Sequence, residues 1–356
     1  MAVRFPKKAV AWLPLACLLA LLMVLSWDRA SESSASSDGT ADKGGNGLAS
    51  RLQESRRERP AAKRNRSLSE AMGGSPEDVI EENLSAAQIH AFVSGRNRSM
   101  ESLLSAFRLG GGKAYLEEAL ERFPDHPQVI FASLSEAHDP AKRLAVLENL
   151  KRVDPGNALG YCLSARGLLD LGKKDEALAE LRQMAGKPVN DFTVANAQSD
   201  EEAYLSSDYP ATKAKMAALF GSTKTEILRL RNLGDSMAKL QAEYESAGDS
   251  GSAQEVRDLQ IGLGRQLQNS GTIVDALVGM VVEKSALAGL DSAESQARLE
   301  EMARQKETLT GNAERIMALM GDPAVEEGDW SLFFDRAKLF GAAAANDWML
   351  EKYPGK

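Results

Sequence analysis

The 356-residue chain holds only two cysteines and three histidines. Cys17 sits in an apolar run near the N-terminus and Cys162 in a helical stretch far along the chain. That pair supplies neither a disulfide framework nor zinc-type spacing. His90, His126 and His138 are scattered, with no histidine four residues on and no nearby cysteine. Metal ligation is therefore not expected. Aromatic residues make up 6% of the chain, and no segment alternates apolar and polar residues over strand length. Both facts weigh against β-structure. Gly-x-Ser-x-Gly, a Walker loop and a dinucleotide fingerprint are all missing.

Near-misses do not change that. "RLGGGKAY" (108–115) places a glycine run before a lysine. A phosphate loop needs a preceding strand and Gly-Lys-Ser/Thr, so this run reads as a break between two helices. Glu-Glu pairs at 81–82, 117–118 and 326–327 are ordinary in an acidic helical chain. Glu101-Ser102 in "MESLLSAF" lacks the other elements of a transglycosylase site. The expectation is a protein that is not an enzyme and takes no cofactor and no metal.

Charge is present but uneven. Residues 1–75 carry 12 Lys/Arg against 7 Asp/Glu, leaving 31 against 44 for the rest. The front is basic and the body acidic. An acidic body lacks the basic footprint that nucleic-acid binding needs.

The front divides in two. "MAVRFPKKAVAWLPLACLLALLMVLSW" has Arg4, Lys7 and Lys8 ahead of an uncharged run from Ala9 to Trp27. As a helix this run spans roughly the ~30 Å hydrocarbon core of a bilayer. Trp12 and Trp27 fall near its ends, where indoles favour the interface. The run exceeds the usual signal-peptide core, so a retained anchor over residues 1–28 is the expectation, with a cleaved signal and secretion as the alternative. The basic flank puts the N-terminus inside and the body outside the cytoplasm, in the periplasm or envelope. Residues 29–74 are rich in Ser, Gly and charge and poor in anything that builds a core, so they read as a disordered linker. Within it, "RLQESRRERPAAKRNR" (51–66) is a basic patch. It reads as a solvated linker segment, with contact to an anionic surface as the alternative.

From "SPEDVIEENL" onward, residues 75–356 read as helix throughout. Ser75 is an N-cap candidate, and Thr223 stands in capping-box spacing with Glu226. Leu230, Leu233, Met237, Leu240 and Tyr244 step by three and four along one face. Residues 272–290 are very apolar, but Asp275, Glu283 and Lys284 interrupt them. They read as a buried helix rather than a membrane span. Residues 329–352 read as one C-terminal helix with an aromatic stripe through Trp330, Phe333, Phe334, Phe340 and Trp348.

The body also repeats. "YLEEALERFPDHP" (115–127), "RLAVLENLKRVDPGN" (143–157) and "ALAELRQMAGKP" (177–188) each pair a periodic helix with a proline turn. Pro124, Pro155 and Pro188 recur at close to a 34-residue period. In "ALGYCLSARGLLDLGKKDEALAELRQM", Tyr161, Ala165, Leu168, Gly172, Ala177 and Leu181 follow the tetratricopeptide (TPR) pattern. Tyr244, Gly248 and Ala253 repeat three of those positions. The chain resembles tetratricopeptide-repeat proteins, most clearly over 112–188. Small residues let paired helices approach, and the glycine takes a left-handed turn. "HPQVIFASLSEAHDPAKR" departs from the pattern, so the expected architecture is all-α, an irregular α-solenoid of TPR-like hairpins.

The resemblance implies a concave face that binds a protein or peptide. By position, it nominates Leu159, Cys162, Arg166 and Leu169 as the partner-binding groove. The expected role is a membrane-anchored scaffold or adaptor in the cell envelope. A purely structural or self-associating protein, and an all-helical enzyme with a carboxylate-based site, are the alternatives.

Overall fold

A computed structural model describes residues 84–221 and 225–355. The expected membrane anchor over 9–27, the expected linker and basic patch, and the caps at Ser75 and Thr223 all lie outside the described residues.

Short polar residues start many of the helices. Ser85 caps α1 (Ala86–Gly95) in a full capping box: its Oγ accepts from the Gln88 amide at 3.3 Å, and the Gln88 side chain accepts from the Ser85 amide at 2.9 Å. Ser99, Asp139, Asn157, Asp249, Thr272 and Ser292 cap α2 (Met100–Ala106), α5 (Pro140–Val153), α6 (Ala158–Asp170), α11 (Ser250–Gln268), α12 (Ile273–Leu287) and α13 (Ala293–Met320). The others are α3 (Lys113–Arg122), α4 (Pro127–Ser133), α7 (Lys174–Met184), α8 (Thr193–Leu205), α9 (Ala211–Phe220), α10 (Thr225–Ser246), α14 (Glu327–Phe340) and α15 (Ala342–Lys352). The fold is all-α, with no strand among the described residues.

The glycine run at 110–112 does separate two helices. A π-helical turn (Phe107–Gly111) ends α2, and Gly110 and Gly112 take φ of 95° and 91° before α3 starts. The 163–184 stretch forms a hairpin of α6 and α7. Gly172 turns it at φ 74°, and Ala165 and Ala177 are fully buried where the helices meet. Gly248 turns α10 into α11 in the same way, at φ 78°. Leu230, Leu233, Met237 and Leu240 all face the interior, as their spacing requires.

Two main cores result. The first gathers α1–α3, α8, α9, α14, α15 and the last turns of α13 around Phe92, Leu103, Leu104, Trp330 and Phe334. Trp330, Phe333 and Phe334 stack with centroids 5.4 to 6.2 Å apart. Burying each such ring stabilises by roughly 2–3 kcal/mol before conformational entropy is counted. The second core gathers α5–α7 and α10–α12 around Leu159, Leu181, Leu230, Leu263 and Val282. A small third cluster, Leu277, Met280, Leu287 and Met302, joins α12 to the start of α13.

The apolar 272–290 stretch forms α12, which is buried along most of its length between α10, α11 and α13. At its closest approach, Gly279 lies against Gly264 of α11. A Cβ on Gly279 would meet the Gly264 carbonyl oxygen at 2.4 Å. α13 differs. Over 28 residues, about 42 Å by helical rise, it buries Ser295 and Met302 near one end and Ile316, Leu319 and Met320 at the other. It works as a strut from the third cluster to the first core.

One sequence expectation needs correction. Residues 329–352 are not one helix. Gly341 takes φ 88° and breaks the stretch into α14 and α15, and the Ala342 amide donates to the Gly271 carbonyl at 3.0 Å. The two glycine backbones touch: a Cβ on Gly341 would lie 2.7 Å from the Gly271 oxygen. A distant backbone carbonyl replaces an intrahelical partner, which local periodicity does not reveal.

Candidate functional site

α12 and α13 part company after the third apolar cluster. The reason is in the residues that α13 turns inward. Beyond Met302 they are Arg304, Gln305 and Thr308, with Leu309 after them and Arg298 and Glu301 earlier on the same face. Such side chains do not give up water to pack on Ile273, Ala276 and Met280 of α12. The gap is a cleft of about 910 Å³. The ends of α11 and α12 form one wall, α13 another, and the Phe340–Gly341 corner closes it.

Its electrostatic anchor is Glu283, whose side chain is fully buried in α12. Gly264 makes room for it, since a Cβ there would lie 2.7 Å from the Glu283 Cβ. Arg298 grips the carboxylate bidentately, Nε at 2.9 Å and a terminal nitrogen at 2.7 Å. Gln268 Nε2 donates to it at 2.7 Å and Arg265 Nε at 3.1 Å. Burial alone would push this carboxyl upward. The hydrogen bonds from Arg298, Gln268 and Arg265 outweigh that and hold it below the usual glutamate range. The same bond to Glu283 raises the Arg298 guanidinium against the opposing effect of burial.

The rim is more open. The Arg304 and Arg265 side chains are 64% and 60% exposed. Arg304 donates to Glu301 at 2.8 Å, and Gln305 Nε2 does so at 2.9 Å. The Arg304 hydrogen bond, ahead of burial, lowers the Glu301 carboxyl. Opposite them Phe340 is 64% exposed, an unusual position for a phenylalanine. The cleft thus pairs arginines with apolar side chains at its floor and corner. It can grip a chain with both kinds of contact, and it assembles no nucleophile with a base.

A second cavity, about 430 Å³, lies between α2, α4, α5, α8 and α10. Its polar groups are engaged with one another: Gln128 with Asn196 at 2.8 Å, Arg143 with Glu226, and Arg108 with Asp200 at 2.7 Å. They serve to join helices.

The four groove candidates fall elsewhere. Leu159 and Cys162 are fully buried in the second core, where Cys162 Sγ lies 3.3 Å from Met184 Sδ. They have no surface to offer a partner. Burial pushes the Cys162 thiol up to about 12, so it stays protonated and inert. Arg166 reaches the surface but pairs with Asp170 one turn on, and Leu169 packs partly buried against the second core. The helix is covered by α5, α7 and α10, which is why its presumed open face is mostly interior.

The histidines do not converge. His90 and His138 are exposed, and His126 precedes α4. No cluster of potential metal ligands occurs among the described residues. None of the described helices is long and apolar enough to cross a membrane.

The cleft residues went unread in the sequence. One signal was there: Glu283, an ionisable residue inside an apolar run that also contains Gly279. A buried carboxylate demands partners, and those partners line the cleft. Their chain positions gave no hint of it.

No family model matches the chain, and neither a curated protein nor a solved structure does.

Proposed function

We propose that this protein is a helical adaptor that holds a segment of a partner polypeptide in the α12–α13 cleft. The observation that carries the reading is the cleft itself: a long gap between two packed helices, with exposed Phe340 at one end and, on its two walls, Arg265 and Arg298 fixed by a buried glutamate. Concave sites with an apolar body and a few fixed polar groups are where ligands bind.

In this reading the α6–α7 and α10–α11 hairpins belong to an irregular TPR-like solenoid. They are the framework rather than the binding face. Residues 9–27 hold the chain to a membrane, and the stretch rich in Ser, Gly and charge after them tethers the body on the outer side. The protein then presents a binding cleft at the envelope.

The test is site-specific photocrosslinking in cells, with the reactive amino acid placed at Phe340 or, separately, at Arg166. The expected result is a discrete adduct with another polypeptide from position 340 and none from 166. Adducts from 166 alone would return the site to the α6 surface. Adducts only with a second copy of the chain would replace the adaptor with a self-associating protein.

A further inference from the structure

Granted the cleft as a polypeptide-binding site, we propose that its occupant is an acidic, amphipathic segment in extended conformation. Carboxylate side chains of the segment meet Arg265 and Arg304, and apolar side chains meet Ile273, Leu309 and Phe340.

Charge is the first reason. Beyond residue 75 the chain has 31 basic against 44 acidic residues, yet the cleft lining holds three arginines and one carboxylate. Glu283 lies beneath and neutralises one of the three. Arg298 is spent: it bridges Glu283 and Gln268 and stiffens the wall. Arg265 is not. It meets Glu283 through Nε alone while most of its side chain is exposed. Arg304 is as open; its Nε and one terminal nitrogen donate to Glu301 at 3.3 and 2.8 Å and the other terminal nitrogen lies 4.0 Å from Glu300, exposed contacts that a carboxylate of the segment can replace. A guanidinium whose stem is pinned and whose face is free pays little entropy to take a carboxylate.

Shape is the second. From Arg298 to Leu309 the α13 wall runs twelve residues, about 16 Å by helical rise. An extended peptide covers that length with about five residues. Its side chains alternate, so one set can face the arginines while the other faces the apolar floor. A nucleic acid would also offer anions, but the acidic body repels a long polyanion. A membrane surface cannot enter a cleft walled by helices on both sides.

Competing surfaces carry less. The charges of the second cavity are paired with one another. The outer face of α14 exposes Leu332 and Leu339, and nothing in the structure shows what covers them.

The experiment uses the full-length protein in detergent and fluorescein-labelled nonapeptides, capped at both ends so that only side chains differ. All share one alternating Leu/Phe pattern, and the polar positions are Glu, Gln or Lys. Fluorescence anisotropy is read at low and high salt. The Glu peptide is expected to bind about tenfold more tightly than the Gln peptide, with the Lys peptide weakest, and to lose that advantage in high salt. Arg265→Gln with Arg304→Gln should abolish the preference for Glu, so that the Glu and Gln peptides bind alike. Both residues are exposed, so the fold should persist, which circular dichroism checks. Phe340→Ala should weaken the Glu and Gln peptides alike. Equal binding of all three peptides would overturn the acidic segment and leave the cleft as a polypeptide site. No binding by any of them would overturn both.

Discussion

The α6–α7 and α12–α13 hairpins begin alike and end differently. Each joins two helices through a short connection, and each starts from apolar contacts. In α6–α7 the contacts run the whole length: Cys162 and Ala165 on one side, Ala177, Leu181 and Met184 on the other, all buried. In α12–α13 they thin out after Met302: Arg304, Gln305 and Thr308 come next along the cleft, and Leu309 beyond them is only partly buried against the cluster. The first hairpin is therefore framework and the second opens into a cleft. A repeat-like pattern marks where helices stay together. A cleft opens where that pattern fails.

The contrast can be broken most sharply at the glycine contact that seats Glu283. Gly279→Val would drive side-chain atoms into the Gly264 carbonyl and Leu267. It should cost about 3 kcal/mol or more, as overpacking against backbone does, measured by urea unfolding. A loss under about 1 kcal/mol would mean that α11 and α12 are not in contact there.

The next comparison is direct. Leu181→Ala empties a fully buried site in the closed hairpin, and Leu309→Ala trims a partly buried residue on the cleft. The expected losses are about 3 kcal/mol and under about 1 kcal/mol. Equal losses would show that the cleft is packed shut in solution.

Glu283→Gln comes third. It leaves Arg298 and Arg265 without their countercharge and should cost about 2 kcal/mol at neutral pH, somewhat less than breaking a fully buried pair, because both arginines reach solvent. The pH dependence has a definite sign. The folded carboxyl sits below its unfolded value, so its stabilisation is present above the ordinary glutamate range and is lost as pH falls through the folded value. The gap between native protein and variant should close on acidification from pH 6 into that range. A gap that widens instead would rule out an ionised, paired Glu283.

The smallest effect is expected at Arg166. Its ion pair with Asp170 is an exposed contact one turn apart, so Arg166→Ala should change stability by less than about 0.5 kcal/mol. It should leave peptide binding at the cleft unaltered, read by the same anisotropy assay. Lost binding would bring the α6 surface back into the site.

Much of the framework was legible because its causes are local. Gly172 and Gly248 sit where a left-handed turn must follow a helix, and both adopt one. Leu230 through Leu240 share a face by spacing alone. The 272–290 stretch reads as buried because it is apolar yet interrupted by charge, and α12 is buried. Two of the four groove candidates, Leu159 and Cys162, are interior for a reason that is not local. Periodicity tells which residues of α6 share a face, not that α5, α7 and α10 together cover nearly all of its faces.

The amino-acid sequence by itself determined that residues 84–221 and 225–355 are helical, that glycines at 110–112, 172 and 248 turn one helix into the next, and that the Leu230–Leu240 stripe goes inward. Those follow from dihedral preferences, capping groups and a 3.6-residue period acting over a few residues. Only the tertiary structure decided that Gly341 would break a helix against Gly271, and that Glu283 would draw Arg265, Gln268 and Arg298 around one buried charge. It also decided that α13 would run from the third cluster to the first core with an open flank. Those outcomes depend on groups far apart in the chain, and the cost of a buried charge or a blocked backbone is settled only by what packing places beside it.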